Sequence, residues 1–331
     1  MKRKIIKQGH NTLTVTLPSE WTKRFNIGAG SEIEVNERDN GLFISTEKNH
    51  SEKRTEFDIN GMDIPTIWKY FMGVYREGYD EVMVKFSPDL RLESPYKFFT
   101  QHKLDLKYGK EREKKKVLEF FHELINRFIG FEIVDYGKNF VLIKEMTEPT
   151  SKEFDIALRR VFLLIEQMGQ ETCEALKTNN PKNLSHIHDI DINLDKFQDY
   201  CIRILNKNGN KENRKTSLFF SILYFLELTG DEFKNIAHHL VYDFSDKTDF
   251  KNIRHIADSV KEQLDLYYDL FYKFDREKIN RISEIDAKRY FDVLNVYKRT
   301  KMDGEKEIFH HLRVIARYIN SLLELRIEME F

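Results

Sequence analysis

Residues 226–237, LELTGDEFKNIA, decide how this chain is read. Their neighbours, SLFFSILYF before and HHLVYDF after, carry the broad apolar face of a packed helix. Inside that helix Glu227 and Asp231 stand one turn apart and so share a face, with Gly230, a poor helix former, between them. The preceding helix repeats the device. Leu184, Ile187, Asp191, Leu194, Gln198, Cys201 and Leu205 fall on heptad-like core positions, so Asp191 interrupts an apolar stripe and Asp195 follows one turn later. Two adjacent, antiparallel helices would then each turn a carboxylate pair toward the bundle interior or its flank.

Four clustered anions are costly in a partly dry place unless they protonate or meet a cation. An oxygen-rich set between facing helices suits magnesium, manganese or iron, which makes Asp191, Asp195, Glu227 and Asp231 the candidate ligands of one site for a divalent or trivalent metal ion. The competing reading is a solvated acidic helix face, since acidic pairs at this spacing are common. Gly230 would let the neighbouring helix or a ligand come close. His186, His188, His238 and His239 lie near, and read as surface or packing residues.

Composition narrows the classes. The chain has 331 residues, 40% hydrophobic and 33% charged, enough for two or three domains of a soluble, helix-rich protein. Gly (14) and Pro (6) are scarce, which argues against an all-β fold. A net charge of -1 excludes a uniformly basic nucleic-acid binder but permits local patches. No apolar run is long enough to span a bilayer, and the start MKRKIIKQ leads into polar GHNT, so the expected location is the cytoplasm. Cys173 and Cys201 stand far apart and read as helix-packing thiols. No Ser/His/Asp set, phosphate-cradling loop or nucleophilic cysteine emerges, so no enzyme is expected.

The spacing predicts an α+β chain in several parts. Residues 1–46 read as strand, strand, short helix, strand, turn, strand. TLTVTLP alternates Leu13, Val15 and Leu17, Ser19 is the expected helix cap with Gly28 beyond the helix end, and Asn40-Gly41 marks a hairpin. That module is too small to bury a core alone, which points to intertwined dimerisation. Residues 47–56 read as a linker, and 57–147 as a small α+β sandwich of order βαβαββ, if EFDI supplies its first strand. EREKKK (111–116) reads as a solvated helix start. From 150 to 331 six amphipathic helices form two three-helix repeats, about 150–243 and 246–331. The second repeat has Ala316 and Asn320 where the first has Glu227 and Asp231, and its Glu284, Asp286 and Asp292 are not four apart, so no second metal cluster is expected.

Here two families come into view. YFLELTGDEFKNIAHHL and DINLDKF resemble the paired acidic helices of the PhoU family, and RRVFLLIEQMGQETCEAL (159–176) is similar to that family's first helix. The resemblance implies two three-helix bundles and metal held by Asp191, Asp195, Glu227 and Asp231. At the N-terminus, Gly9, Leu17-Pro18, Trp21, Ile27, Gly30, Ile33 and Val35 follow the landmarks of the SpoVT/AbrB (MazE-like) module, which implies a swapped-hairpin homodimer that binds DNA. Lys2, Arg3, Lys4, Lys7, Lys23 and Arg24 are opposed only by Glu20 before residue 27 and are the candidate phosphate contacts. The same lysines could merely solvate a dimerisation module. The fusion, with GYDEVMV and IGFEIV in its middle, resembles phosphate-uptake regulators typical of archaea. It implies control of phosphate uptake, either through DNA or as an adaptor docked on a phosphate ABC transporter or a signalling partner.

Overall fold

The computed structural model describes residues 2–9, 11–38, 41–46, 52–94, 113–147, 149–208, 215–244, 250–300 and 303–331. It separates into two compact units, Met1–Glu52 and Lys53–Phe331.

In the first unit, β1 (Ile6–Gln8) pairs antiparallel with β2 (Thr12–Thr14) around Gly9, whose φ of 72° only glycine adopts freely. Helix α1 (Ser19–Arg24) follows, then the hairpin β3 (Ile33–Arg38) and β4 (Gly41–Thr46), with Val35 opposite Ile44 and Arg38 opposite Gly41. Asn40 of the expected turn lies outside the described residues. Two local expectations are corrected. Pro18, already extended at φ -62° and ψ 126°, takes the cap position without a side-chain bond, so Ser19 becomes the first helical residue. The helix also ends at Arg24, earlier than the expected end just before Gly28, because Asn26 turns left-handed (φ 52°) and the Ile27 amide donates back to the Thr22 carbonyl at 2.8 Å. No described residue of this unit is buried. Ile5, Leu13, Val15, Val35 and Leu42 all stand exposed on the single chain.

The second unit opens with a four-stranded sheet in the order β5-β6-β10-β9. Strand β5 (Arg54–Asp58) crosses through α2 (Ile64–Arg76) to a parallel β6 (Glu81–Lys85), while β9 (Phe131–Tyr136) and β10 (Phe140–Glu145) close the sheet antiparallel. Helix α2 starts where the Asp63 carboxylate accepts from the Thr66 amide at 2.9 Å. Residues 54–56, expected in a linker, are strand: Thr55 and Phe57 turn inward, and Lys85 bridges to Glu56 at 2.7 Å. The remainder of 47–56, save Glu52 and Lys53, lies outside the described residues. A hairpin absent from the expected order, β7 (Arg91–Ser94) with β8 (Glu113–Lys116), is inserted before α3 (Val117–Ile125). Residues 113–116 are therefore strand rather than helix start, because Lys114 pairs across the hairpin with Glu93 at 3.1 Å. Residues 111 and 112 lie outside the described residues.

Among the described residues six α-helices follow, α4 (Ser151–Thr178), α5 (Ile187–Asn208), α6 (Thr216–Tyr242), α7 (Lys251–Tyr272), α8 (Arg276–Tyr297) and α9 (Asp303–Glu328), with a short 3-10 helix, Pro181–His186, ahead of α5. A capping box at Thr150 and Glu153 starts α4, and left-handed Asn179 (φ 51°) ends it. Helices α4 to α6 pack as one trio and α7 to α9 as another, joined through α4 against α7 and α6 against α9. The heptad positions are all buried, Asp191 and Gln198 included, although the first of them, Leu184, lies in the 3-10 helix before α5. Gly230 has the clearance role expected of it toward the neighbouring helix: a Cβ there would stand 2.1 Å from Leu194 Cδ2 of α5. No helix among the described residues is long and apolar enough to cross a membrane.

Arg203 is the most deeply buried of the side chains that fasten the α/β layer to α5. The Arg203 guanidinium, fully buried, donates to the Tyr75 carbonyl at 2.6 Å, the Tyr79 carbonyl at 2.8 Å and Glu145 Oε1 at 3.0 Å. It also lies over the Tyr75 and Phe131 rings at 4.8 and 4.7 Å.

Candidate functional site

The fold brings the two acidic pairs into one electrostatic cluster. Asp191 and Asp195 come from α5 and Glu227 and Asp231 from α6; Asp231 acts on Asp191, Asp191 and Glu227 on Asp195, and Asp231 and Asp191 on Glu227. Burial, with Asp191 and Glu227 beside it, holds the Asp195 carboxyl well above the usual carboxylate range. Burial, then Asp231 and Asp191, push Glu227 up to about 7.

At the centre of the cluster stands a residue the spacing did not reveal. Lys234, one turn beyond Asp231 on α6, donates to Asp191 Oδ2 at 2.7 Å and also pairs with Asp231. Burial works against its ammonium, but the two carboxylates outweigh that and raise its pKa. The α/β layer adds further cations. Arg76 of α2 donates to Asp199 Oδ1 at 2.5 Å and Gln198 Oε1 at 3.1 Å, and its charge reaches Glu227. Arg127, just after α3, faces Asp195 and Asp191.

A hard metal ion fits this donor set in kind, since all four side chains offer oxygen. Two atoms beside it are buried with no hydrogen-bond partner among the described residues: Asp191 Oδ1, and His188 Nδ1, which lies 3.9 Å from Asp191 Oδ2. Burial, with Lys234 and Arg127 near, lowers the pKa of His188 and favours its neutral, ligating form. A metal ion would have to take the place Lys234 holds.

The second repeat is built differently. Its acids are spent locally: Asp286 on Arg289, Glu284 on Arg281 at 3.5 Å, and Asp292 on His255 at 3.3 Å. Around Asn320 runs a groove of about 230 Å³ lined by Arg289, Arg313 and Arg317 as well as Asp286. The sign of the charge has been reversed relative to the first repeat.

In the first unit, Lys2, Arg3 and Lys4 precede β1, Lys7 lies on it, and Lys23 and Arg24 close the last turn of α1. All six are exposed, and none forms an ion pair with another described residue. The basic residues at the end of α1 also suit the negative end of the helix dipole.

The first unit is thus a small exposed β module, and the second an α/β layer with two helical trios. Comparison with known families makes this specific. Residues 6–52 match the model described as antidote-toxin recognition MazE, bacterial antitoxin, and residues 158–240 match the PhoU domain. The chain thus joins a MazE/AbrB-like module to PhoU-like helices, two regulatory families, with the PhoU match falling on α4 to α6, the trio that holds the carboxylates. Among curated proteins, none matches the chain.

Proposed function

We propose that this chain regulates phosphate homeostasis as a cytoplasmic homodimer. In this reading the N-terminal module joins two copies and contacts DNA through Lys2, Arg3, Lys4, Lys7, Lys23 and Arg24. The helical trio takes up one divalent or trivalent cation at Asp191, Asp195, Glu227 and Asp231. The observation that carries the reading is the carboxylate cluster on the two helices that match the PhoU domain. When bound, the cation would supply positive charge in place of Lys234. The protein's own part is to offer two carboxylates from each of two packed helices, α5 and α6.

Support for self-association comes from a first unit that buries none of its described residues and exposes the apolar face of its strands. DNA binding through six phosphate contacts would be steeply salt-dependent, with a slope of about 0.9 per contact. Fluorescence anisotropy on a promoter-proximal duplex tests this half. Binding that weakens with salt, with a shallower slope in Lys23→Ala/Arg24→Ala, supports it; no binding at low salt favours the adaptor reading, with docking on a transporter or signalling partner instead. Manganese uptake, followed by electron paramagnetic resonance, tests the other half. Glu227→Ala/Asp231→Ala should lose one equivalent of manganese, and equal uptake by variant and wild type would remove the site.

A further inference from the structure

A second constellation lies where α6 of the first trio runs against α9 of the second. His239 near the end of α6, and Glu307 and His311 near the start of α9, each offer a ligand atom, and those atoms lie within 4.8 Å of one another. Glu307 and His311 are one helical turn apart and share a face. The two imidazoles lie 5.4 Å apart between centroids, with 29° between their planes.

The decisive feature is what each histidine does with its other nitrogen. His239 Nδ1 meets Asp243 Oδ2 at 2.6 Å, and His311 Nδ1 pairs with Glu232 of α6. A carboxylate only accepts, so in the neutral imidazole each Nδ1 carries the proton and each Nε2 keeps its lone pair. A carboxylate behind each ring is the support that fixes tautomer and orientation in metal-ligating histidines. Glu232 and His311 are mostly covered, with side chains 16% and 14% exposed, while Glu307 is exposed. The set is therefore held from behind and open in front.

We infer that His239, His311 and Glu307 form a binding site for a borderline transition-metal ion, zinc first. Two imidazoles and one carboxylate are the donors such an ion prefers over magnesium, and three protein ligands leave a position for water. This site is separate from the carboxylate cluster in residues and in donor chemistry. Because its ligands come from both trios, a bound ion would tie the two halves of the helical body together.

The test is titration of chelator-stripped, full-length protein with zinc by calorimetry, and with cobalt by visible absorption. Wild type should take one zinc per chain at this site and develop the bands of nitrogen-ligated cobalt. His239→Gln/His311→Gln should lose both signals, and Glu232→Gln should bind about 10-fold or more weakly. Glu307→Gln, at an exposed position, keeps the test valid should the double variant fail to fold; it too should lose affinity. Glu227→Gln/Asp231→Asn should keep the zinc equivalent, which separates this site from the manganese site proposed above. Absence of zinc uptake by wild type, or an unchanged equivalent in the folded histidine or Glu307 variants, overturns the inference.

Discussion

Lys234 carries the sharpest consequence at the scale of single residues. Its ammonium neutralises Asp191, whose side chain is only 3% exposed. Lys234→Met would strand a buried anion, at a cost of about 3–5 kcal/mol. Thermal unfolding should show that loss, and millimolar manganese should restore much of it, since the freed carboxylates then have another cation to meet. Asp199 makes a pH prediction. It is buried more deeply than its partner Arg76, 3% against 17% side-chain exposure, and burial raises its carboxyl to about 6 in spite of the guanidinium. Its folded pKa is thus above the unfolded value near 3.8. The folded state binds the extra proton between those values, so this group's contribution to stability falls as pH rises from about 4 to 6. That contribution is on the order of 3 kcal/mol, and Asp199→Asn should flatten it in denaturant midpoints measured across that range. Cys173, which burial pushes up to about 12, and Cys201, also raised by burial, should resist thiol reagents until the protein is unfolded.

At the scale of elements, Gly230 and Arg203 mark where helices are pinned. Gly230→Ala drives a methyl into Leu194 Cδ2 and should cost about 1–3 kcal/mol of stability, read by chemical denaturation. How far such elements can be foreseen depends on whether their partners are near in sequence. The heptad stripe on α5 and the acid pairs on α5 and α6 were legible because helical periodicity alone puts Asp191, Asp195, Glu227 and Asp231 on stated faces. Lys234 was not, since its role needs the rotation of α6 against α5, which brings its ammonium to Asp191. The charged strand β8 hid because its Glu-Lys-Lys-Lys has no apolar alternation, and its partner β7 lies well upstream. His239 read as a packing residue because Glu307 and His311, which give it company, belong to the other trio. A rule that flags histidines one turn from a carboxylate, as His239 is from Asp243 and His311 from Glu307, would have found all three ligands.

For the whole molecule, the division after Glu52 separates two kinds of stability. Residues 53–331 hold the buried core, so a fragment of that span should keep its helical circular dichroism and its unfolding transition. The same fragment should lose the self-association that light scattering detects in the full chain, if the exposed strands of the first unit are its contact. Lys234 matters at this scale as well. A cation tethered inside the binding place is a rival whose local concentration never changes, however many copies of the protein a cell holds. On the proposed reading, the ion level at which half of the chains are loaded is then a set point written into the sequence. It can be moved by altering one side chain and is insensitive to how much of the protein is made.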